Sequence, residues 1–170
     1  MRLFTLDARL GAIAGLVPPG ALLYDVGTDH ARLPVYLLCT GRIAAAVASD
    51  IRQGPLAAAR KTAERFGVAE RMRFELCDGV PPQAERDAGC VVIAGMGGEN
   101  IAGILDRAKW LERSRALVIM QPMTRREVLE NYLEGRYDIE SVQLVRCSGG
   151  RQREYVIIAA RGRGDEAEVL

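Results

Sequence analysis

The 170-residue chain balances 23 Lys and Arg against 22 Asp and Glu for a net charge of +1, and is 49% hydrophobic and 26% charged. That composition is expected of one globular domain able to bury a full sheet core, and it excludes a domain that wraps nucleic acid by positive excess alone. The apolar start, residues 1–17, is broken by Arg2, Asp7 and Arg9 and lacks a cleavage-like end, and no uninterrupted apolar run approaches about 18 residues. A soluble, cytoplasmic chain without a membrane span is the expectation.

Residues 6–17 carry an amphipathic pattern that predicts a helix ended by Pro18-Pro19-Gly20, and residues 21–26 read as the first strand. That strand breaks into a turn at Gly27, and Asp50 closes the next apolar run about 20 residues on, the spacing that cradles a nucleoside and grips its ribose. The glycine count bears on which nucleoside. A dinucleotide pyrophosphate calls for several glycines, so that backbone N–H groups can close on it. Set against D-x-G-x-G-x-G-x-L, the segment from Asp25 to Leu33 keeps only Gly27, with Asp29 and Ala31 in the other two glycine slots. S-adenosylmethionine (SAM) has no pyrophosphate and needs one close backbone approach plus polar partners, so it fits better.

Further along, residues 31–39 predict a helix with Pro34 in its first turn, where a missing N–H matters least. Residues 43–49 form the second strand, and Gln53-Gly54-Pro55 opens a helix closed by Gly67. The strand over residues 71–76 alternates, with Met72, Phe74 and Leu76 inward and Arg71, Arg73 and Glu75 outward, which suits a sheet edge. Residues 90–94 and 116–120 are short continuous apolar runs of the kind buried on both faces of a parallel sheet. Helices over 101–108 and 124–133 follow them, and two adjacent strands, 137–145 and 154–160, close the pattern around Ser148-Gly149-Gly150. The expected fold is α/β: a Rossmann-like, mostly parallel seven-stranded sheet with one antiparallel strand and helices on both faces, the layout of a class I methyltransferase. Residues 1–160 make up the domain and residues 161–170 a polar tail.

Cys39, Cys77, Cys90 and Cys147 lie far apart without a C-x-x-C pair, and His30 is the only histidine, so no metal site or disulfide framework is expected and the cysteines read as small core residues. Arginines gather at Arg125 and Arg126 and again at Arg146, Arg151 and Arg153, where phosphates could be held bidentately. The hairpin bearing Arg151 and Arg153 runs against the other strands, which favours the Arg125 pair as the phosphate contact.

In a sheet of this kind the ligand lies outside the carboxyl ends of the strands. The candidates there are Asp25, Gly27, Asp29 and His30; Asp50 and Ile51; Asp78 and Gly79; Ala94, Gly95 and Met96; and Gln121. Asp50 is placed on the ribose and Asp78 on the adenine amine. The later run Gly95-Met96-Gly97-Gly98 imitates a dinucleotide fingerprint, but Asn100 stands where a small residue is needed. Its glycines leave room for a flat base instead.

The segments Asp25-Val26-Gly27-Thr28-Asp29-His30-Ala31-Arg32-Leu33-Pro34, Ser49-Asp50-Ile51, Cys77-Asp78-Gly79, Ile93-Ala94-Gly95-Met96-Gly97-Gly98 and Met120-Gln121-Pro122 resemble the bacterial tRNA (adenine-22-N1)-methyltransferase family, the TrmK family. The match runs in order from about residue 6 to residue 160. The resemblance implies SAM as methyl donor, tRNA as acceptor and N1 of an adenine as the methylated atom. Two features depart from the family pattern: the helical C-terminal extension that helps hold tRNA is not part of this sequence, and Met123 stands where the family tends to have asparagine.

Adenine N1 is neutral and carries an in-plane lone pair, so its methylation needs positioning and electrostatics rather than a base. Asp29 is the candidate to accept from the adenine amine, with Gly95 beside the transferred methyl and His30 holding the loop or the RNA. Gln121, Arg125 and Arg126 are the candidate substrate contacts. A SAM-binding module or partner subunit without RNA chemistry, and a small-molecule methyltransferase, are the alternatives. A helper chain or a second copy of the chain is left open.

Overall fold

The structure, a computed structural model, describes residues 2–164. Its strands are β1 (Leu23–Val26), β2 (Ala46–Asp50), β3 (Met72–Leu76), β4 (Cys90–Met96), β5 (Leu117–Pro122), β6 (Tyr137–Cys147) and β7 (Arg153–Gly162), and they form one seven-stranded sheet in the order β3-β2-β1-β4-β5-β7-β6. The helices are α1 (Ala8–Leu16), α2 (Arg32–Cys39), α3 (Gln53–Arg65), α4 (Ala84–Asp87), α5 (Gly98–Arg107) and α6 (Arg126–Leu133). Strands β1 to β5 pair in parallel, and β7 is antiparallel to both β5 and β6. The expected fold is the one observed.

Alternation along the strands builds two cores. Leu23, Ala48, Val92, Ile119 and Ile157 face one side, where they bury Ile13 and Val17 at the end of α1, Leu37 of α2 and Ala59 of α3. Tyr24, Val47, Ile93, Met120 and Ile158 face the other, against Ile101 and Leu105 of α5 and Leu129 and Leu133 of α6. Strands β1, β4 and β5 lie inside the sheet, which is why their residues are apolar on both faces. Edge strand β3 differs from expectation in one residue: Leu76, read as inward, is 53% exposed at the strand end.

Local chemistry sets the boundaries. The Asp7 side chain accepts from Leu10 N at 2.8 Å and starts α1 as an N-cap. Strand β4 runs past its expected end at residue 94, because Met96 still pairs with Pro122 after an irregularity at Gly95. Helix α5 starts at Gly98 rather than residue 101, since Gly98 N donates to Thr124 O at 2.7 Å. Short α4 and the 3₁₀ turn Lys109–Glu112 have no periodic signature and were not expected. Only Cys90 of the four cysteines is buried, where desolvation pushes its thiol up to about 12; Cys39 is exposed and Cys77 and Cys147 are half-buried. The tail expected from residue 161 begins as the end of β7, and residues 165–170 lie outside those described.

The topology corrects one orientation. Because β7 is antiparallel, its first residues share a rim with the carboxyl ends of β1 to β6, so Arg151 and Arg153 stand on the ligand side of the sheet. Pairing of β7 with β5 stops at Met120↔Ile158, whereas the β6–β7 ladder continues to Cys147↔Arg153. Residues 153–155 therefore rise above the end of β5, from about 3 Å at Tyr155 to about 10 Å at Arg153.

The β4 and β5 loops are locked by close contact. A Cβ on Gly98 would meet the Arg125 carbonyl oxygen at 2.1 Å. Gly98→Ala should destabilise the domain by about 1–3 kcal/mol, read as a fall of about 2–12 °C in Tm; an unchanged Tm would show that the two loops part freely.

Candidate active site

Two clefts open on the carboxyl rim and meet at Gly27, Ala94 and Gly95. The smaller, about 310 Å³, is lined by Asp50 and Ile51 after β2, Asp78 and Gly79 after β3, and Met96, Asn100 and Ile104. The larger, about 430 Å³, is lined by Asp25, Asp29 and Arg32, by Arg9 of α1, and by Met123 and Tyr155. The strand-end residues named from sequence, His30 and Gln121 excepted, thus line clefts that share one junction.

Gly27 sits at φ +71, and a Cβ there would meet Met96 Cε at 2.2 Å, so this turn is open to close approach only as glycine. Asp50 is nearly buried; one carboxylate oxygen accepts from Arg52 N at 2.9 Å, and the other has no hydrogen-bond partner among the described residues. Asp78 is exposed, and its carboxylate accepts from Arg107 of α5 at 3.1 Å, an exposed pair beside the smaller cleft.

Asp25 is 9% exposed and accepts from the Thr28 hydroxyl at 2.9 Å. Burial pushes its carboxyl up to about 6, aided by the charges of Asp29 and Asp50 and opposed by the Thr28 hydrogen bond and the Arg9 guanidinium. Asp29 projects outward at 88% side-chain exposure, and His30 Nε2 lies 3.4 Å from its carboxylate. His30 and Ala31 both hold left-handed backbone, at φ 54 and 52, which is strained for residues with a Cβ. His30 stays on the outside of this turn, 62% exposed, and does not line either cleft.

Gln121 lies elsewhere than expected: its side chain is fully buried beneath the cleft floor, away from any incoming substrate. Its Oε1 accepts from Arg9 at 2.9 Å and from Gly95 N at 3.1 Å, and its Nε2 donates to Pro122 O at 3.0 Å. The proposed substrate arginines are engaged as well. Arg125 pairs with Glu99 at 3.2 Å and Glu127 at 3.0 Å, and Arg126 with Glu130. Exposed pairs of this kind are worth little and exchange readily for a phosphate, so these two arginines are masked rather than lost.

Arg9, Thr28, Arg107 and Tyr155 were not named as site residues from the sequence. Arg9 sits one helical turn before buried Ile13 on the inward face of α1, 5.9 Å over the Tyr155 ring, and a cation on an apolar helix face was the available signal.

The family model described as a methyltransferase domain matches residues 6–158. The chain belongs to the methyltransferase-domain family. It is 34% identical over 117 residues to the tRNA (adenine(22)-N(1))-methyltransferase of Bacillus subtilis, covering 69% of this chain and 49% of that protein. The crystal structure of the B. subtilis M1A22 tRNA methyltransferase TrmK superposes with a TM-score of 0.84 at 29% identity, covering 95% of this chain and 68% of that one. Streptococcus pneumoniae Sp1610 in complex with S-adenosyl-L-methionine gives 0.82 at 32% identity, covering 93% and 73%. The homology to TrmK is the one the motifs implied. The chain spans about half the length of the curated B. subtilis relative.

Among the described residues no helix is long and apolar enough to cross a membrane, and no group of three or more His, Cys, Asp or Glu could hold a metal. The raised Asp25 carboxyl makes stability depend on pH. Its neutral form favours folding fully below pH 4, and that contribution, on the order of 2–3 kcal/mol, is lost as pH rises through about 6. Asp25→Asn should melt above the wild type at pH 7.5 with no cofactor added, and the gap should close towards pH 4. An equal gap at both pH values would assign the effect to something other than this ionisation.

Proposed function

We propose that this domain is a SAM-dependent methyltransferase of the cytoplasm that modifies N1 of an adenine in tRNA. The observation that carries the reading is the junction at Gly27, Ala94 and Gly95, where a cleft bordered by Asp50 and Asp78 opens into one bordered by Asp25, Asp29 and Arg9. A nucleoside joined to a zwitterionic amino acid suits that arrangement. The glycine cradle at Gly27 admits close approach, the unpartnered oxygen of Asp50 accepts from ribose hydroxyls, and Ile51, Asp78 and Gly79 flank the adenine. On the other side Asp25 holds an ammonium and Arg9 a carboxylate. Bound there, SAM supplies a methyl group on a cationic sulfur, which a neutral ring nitrogen can take without a base.

The chain's own contribution is placement. Gly95 lacks a side chain where a flat base must lie, and Gln121 holds its backbone N–H from below. Asp29, exposed at the mouth of the larger cleft, accepts from the adenine amino group and favours the positive charge that N1 methylation creates. Tyr155 and Met123 supply the apolar wall against which a base stacks. Relatives described as tRNA (adenine(22)-N(1))-methyltransferases support tRNA as the substrate.

Mass spectrometry of unmodified tRNA after incubation with the protein and SAM should reveal N1-methyladenosine. SAM binding without any methylated tRNA would favour the second reading, a SAM-binding partner subunit, to which the masking of Arg125 and Arg126 lends support. In calorimetry Asp50→Ala should weaken SAM binding by about 1.5–3 kcal/mol. Asp78→Ala should cost less, since Asp78 is exposed and already paired with Arg107. Undiminished affinity in both variants would sink the cofactor assignment.

A further inference from the structure

We infer that the β6–β7 hairpin is an arm that grips the RNA backbone beside the target-base cleft, an inference that rests on the tRNA reading above. The arm stands on the ligand rim and overhangs β5, and Tyr155 at its foot lines the larger cleft. A strand whose base enters that cleft must pass its phosphates alongside the arm.

The charge of the arm matches such a partner. Between residues 146 and 154 it carries three arginines and one glutamate, a net +2 in a chain whose whole charge is +1. Arg151 and Arg153 are exposed and make no ion pair among the described residues, while Arg146 is 87% exposed and touches Glu154 only at 3.9 Å. Near the tip lies a hollow of about 440 Å³ whose lining sets Arg146 and Arg153, with the neutral donors Ser148 and Gln152, against the single carboxylate of Glu154, so guanidinium forks outnumber the acid there. Gly149 and Gly150, with φ of 141 and 88, make the turn without side chains that would fend off a backbone. By contrast the Arg125 pair, favoured on sequence alone, is held by Glu99, Glu127 and Glu130.

The test is binding of an unmodified tRNA transcript across a salt series, with SAM calorimetry on every protein. Arg151→Ala/Arg153→Ala should make the slope of log K against log salt shallower by about 1.5–2, as expected for two lost phosphate contacts, and leave SAM affinity unchanged. Arg151→Lys/Arg153→Lys should keep the wild-type slope because it keeps the charge, and Arg125→Ala/Arg126→Ala should change the slope less. The inference is overturned if the Arg151 pair gives the wild-type slope, if the Arg125 pair carries the whole change, or if the hairpin variant loses SAM. A wild type that neither binds nor methylates tRNA overturns the functional reading itself, and the arm's role falls with it.

Discussion

One buried amide organises the site. Gln121 has no exposed surface, so each of its polar atoms needs a partner within the protein. It finds them in Arg9 of α1, in the N–H of Gly95 at the irregular end of β4, and in Pro122 of its own strand. Three segments far apart in sequence are thereby fixed around one carboxamide: the helix that covers the cleft, the glycine that floors it and the strand that ends beside it. The contact between Gly98 and the Arg125 carbonyl performs a parallel service one loop further out. Neither group lines either cleft, yet both decide where the groups that do must stand.

The architecture and the rim were largely legible in the sequence because each rests on local chemistry. Period-two strands, unbroken apolar runs at β4 and β5, and the Gly27 and Asp50 spacing are all readable within short windows, and the strand ends they mark do converge on one junction. What escaped depends on long separations. Arg9 meets Gln121 across 112 residues and Arg107 meets Asp78 across 29, and no window shows that a cation on a helix face will find an amide in the sheet beneath it. Gln121 is expected as a substrate contact at a strand end, and its burial follows from a hydrogen-bond demand that only the packed sheet reveals. The antiparallel direction of the hairpin is as expected, and only the rim on which it places Arg151 and Arg153 differs. Antiparallel pairing reverses the strand, and that reversal brings its beginning to the ligand rim.

Charge is arranged locally within a nearly neutral molecule. Asp25 and Asp50 concentrate acidity inside the clefts and Asp29 stands at a cleft mouth, the Arg9 guanidinium opposes the charge on Asp25, and the rim arginines are divided between masked and open. A net charge near zero therefore says little about what such a surface can hold, because the field that an approaching polyanion meets comes from the nearest few groups within a Debye length of about 10 Å.

Ala31 keeps a left-handed backbone at the position where the glycine-rich version of this loop would place its third glycine. An L-residue there bears a strain of about 1–2 kcal/mol, and the loop keeps its shape because neighbouring packing dictates it. Its cradle can thus outlive its own signature. Drift is free to erase glycines one at a time while the backbone path persists, and a family defined by counting those glycines would shed members whose geometry never changed.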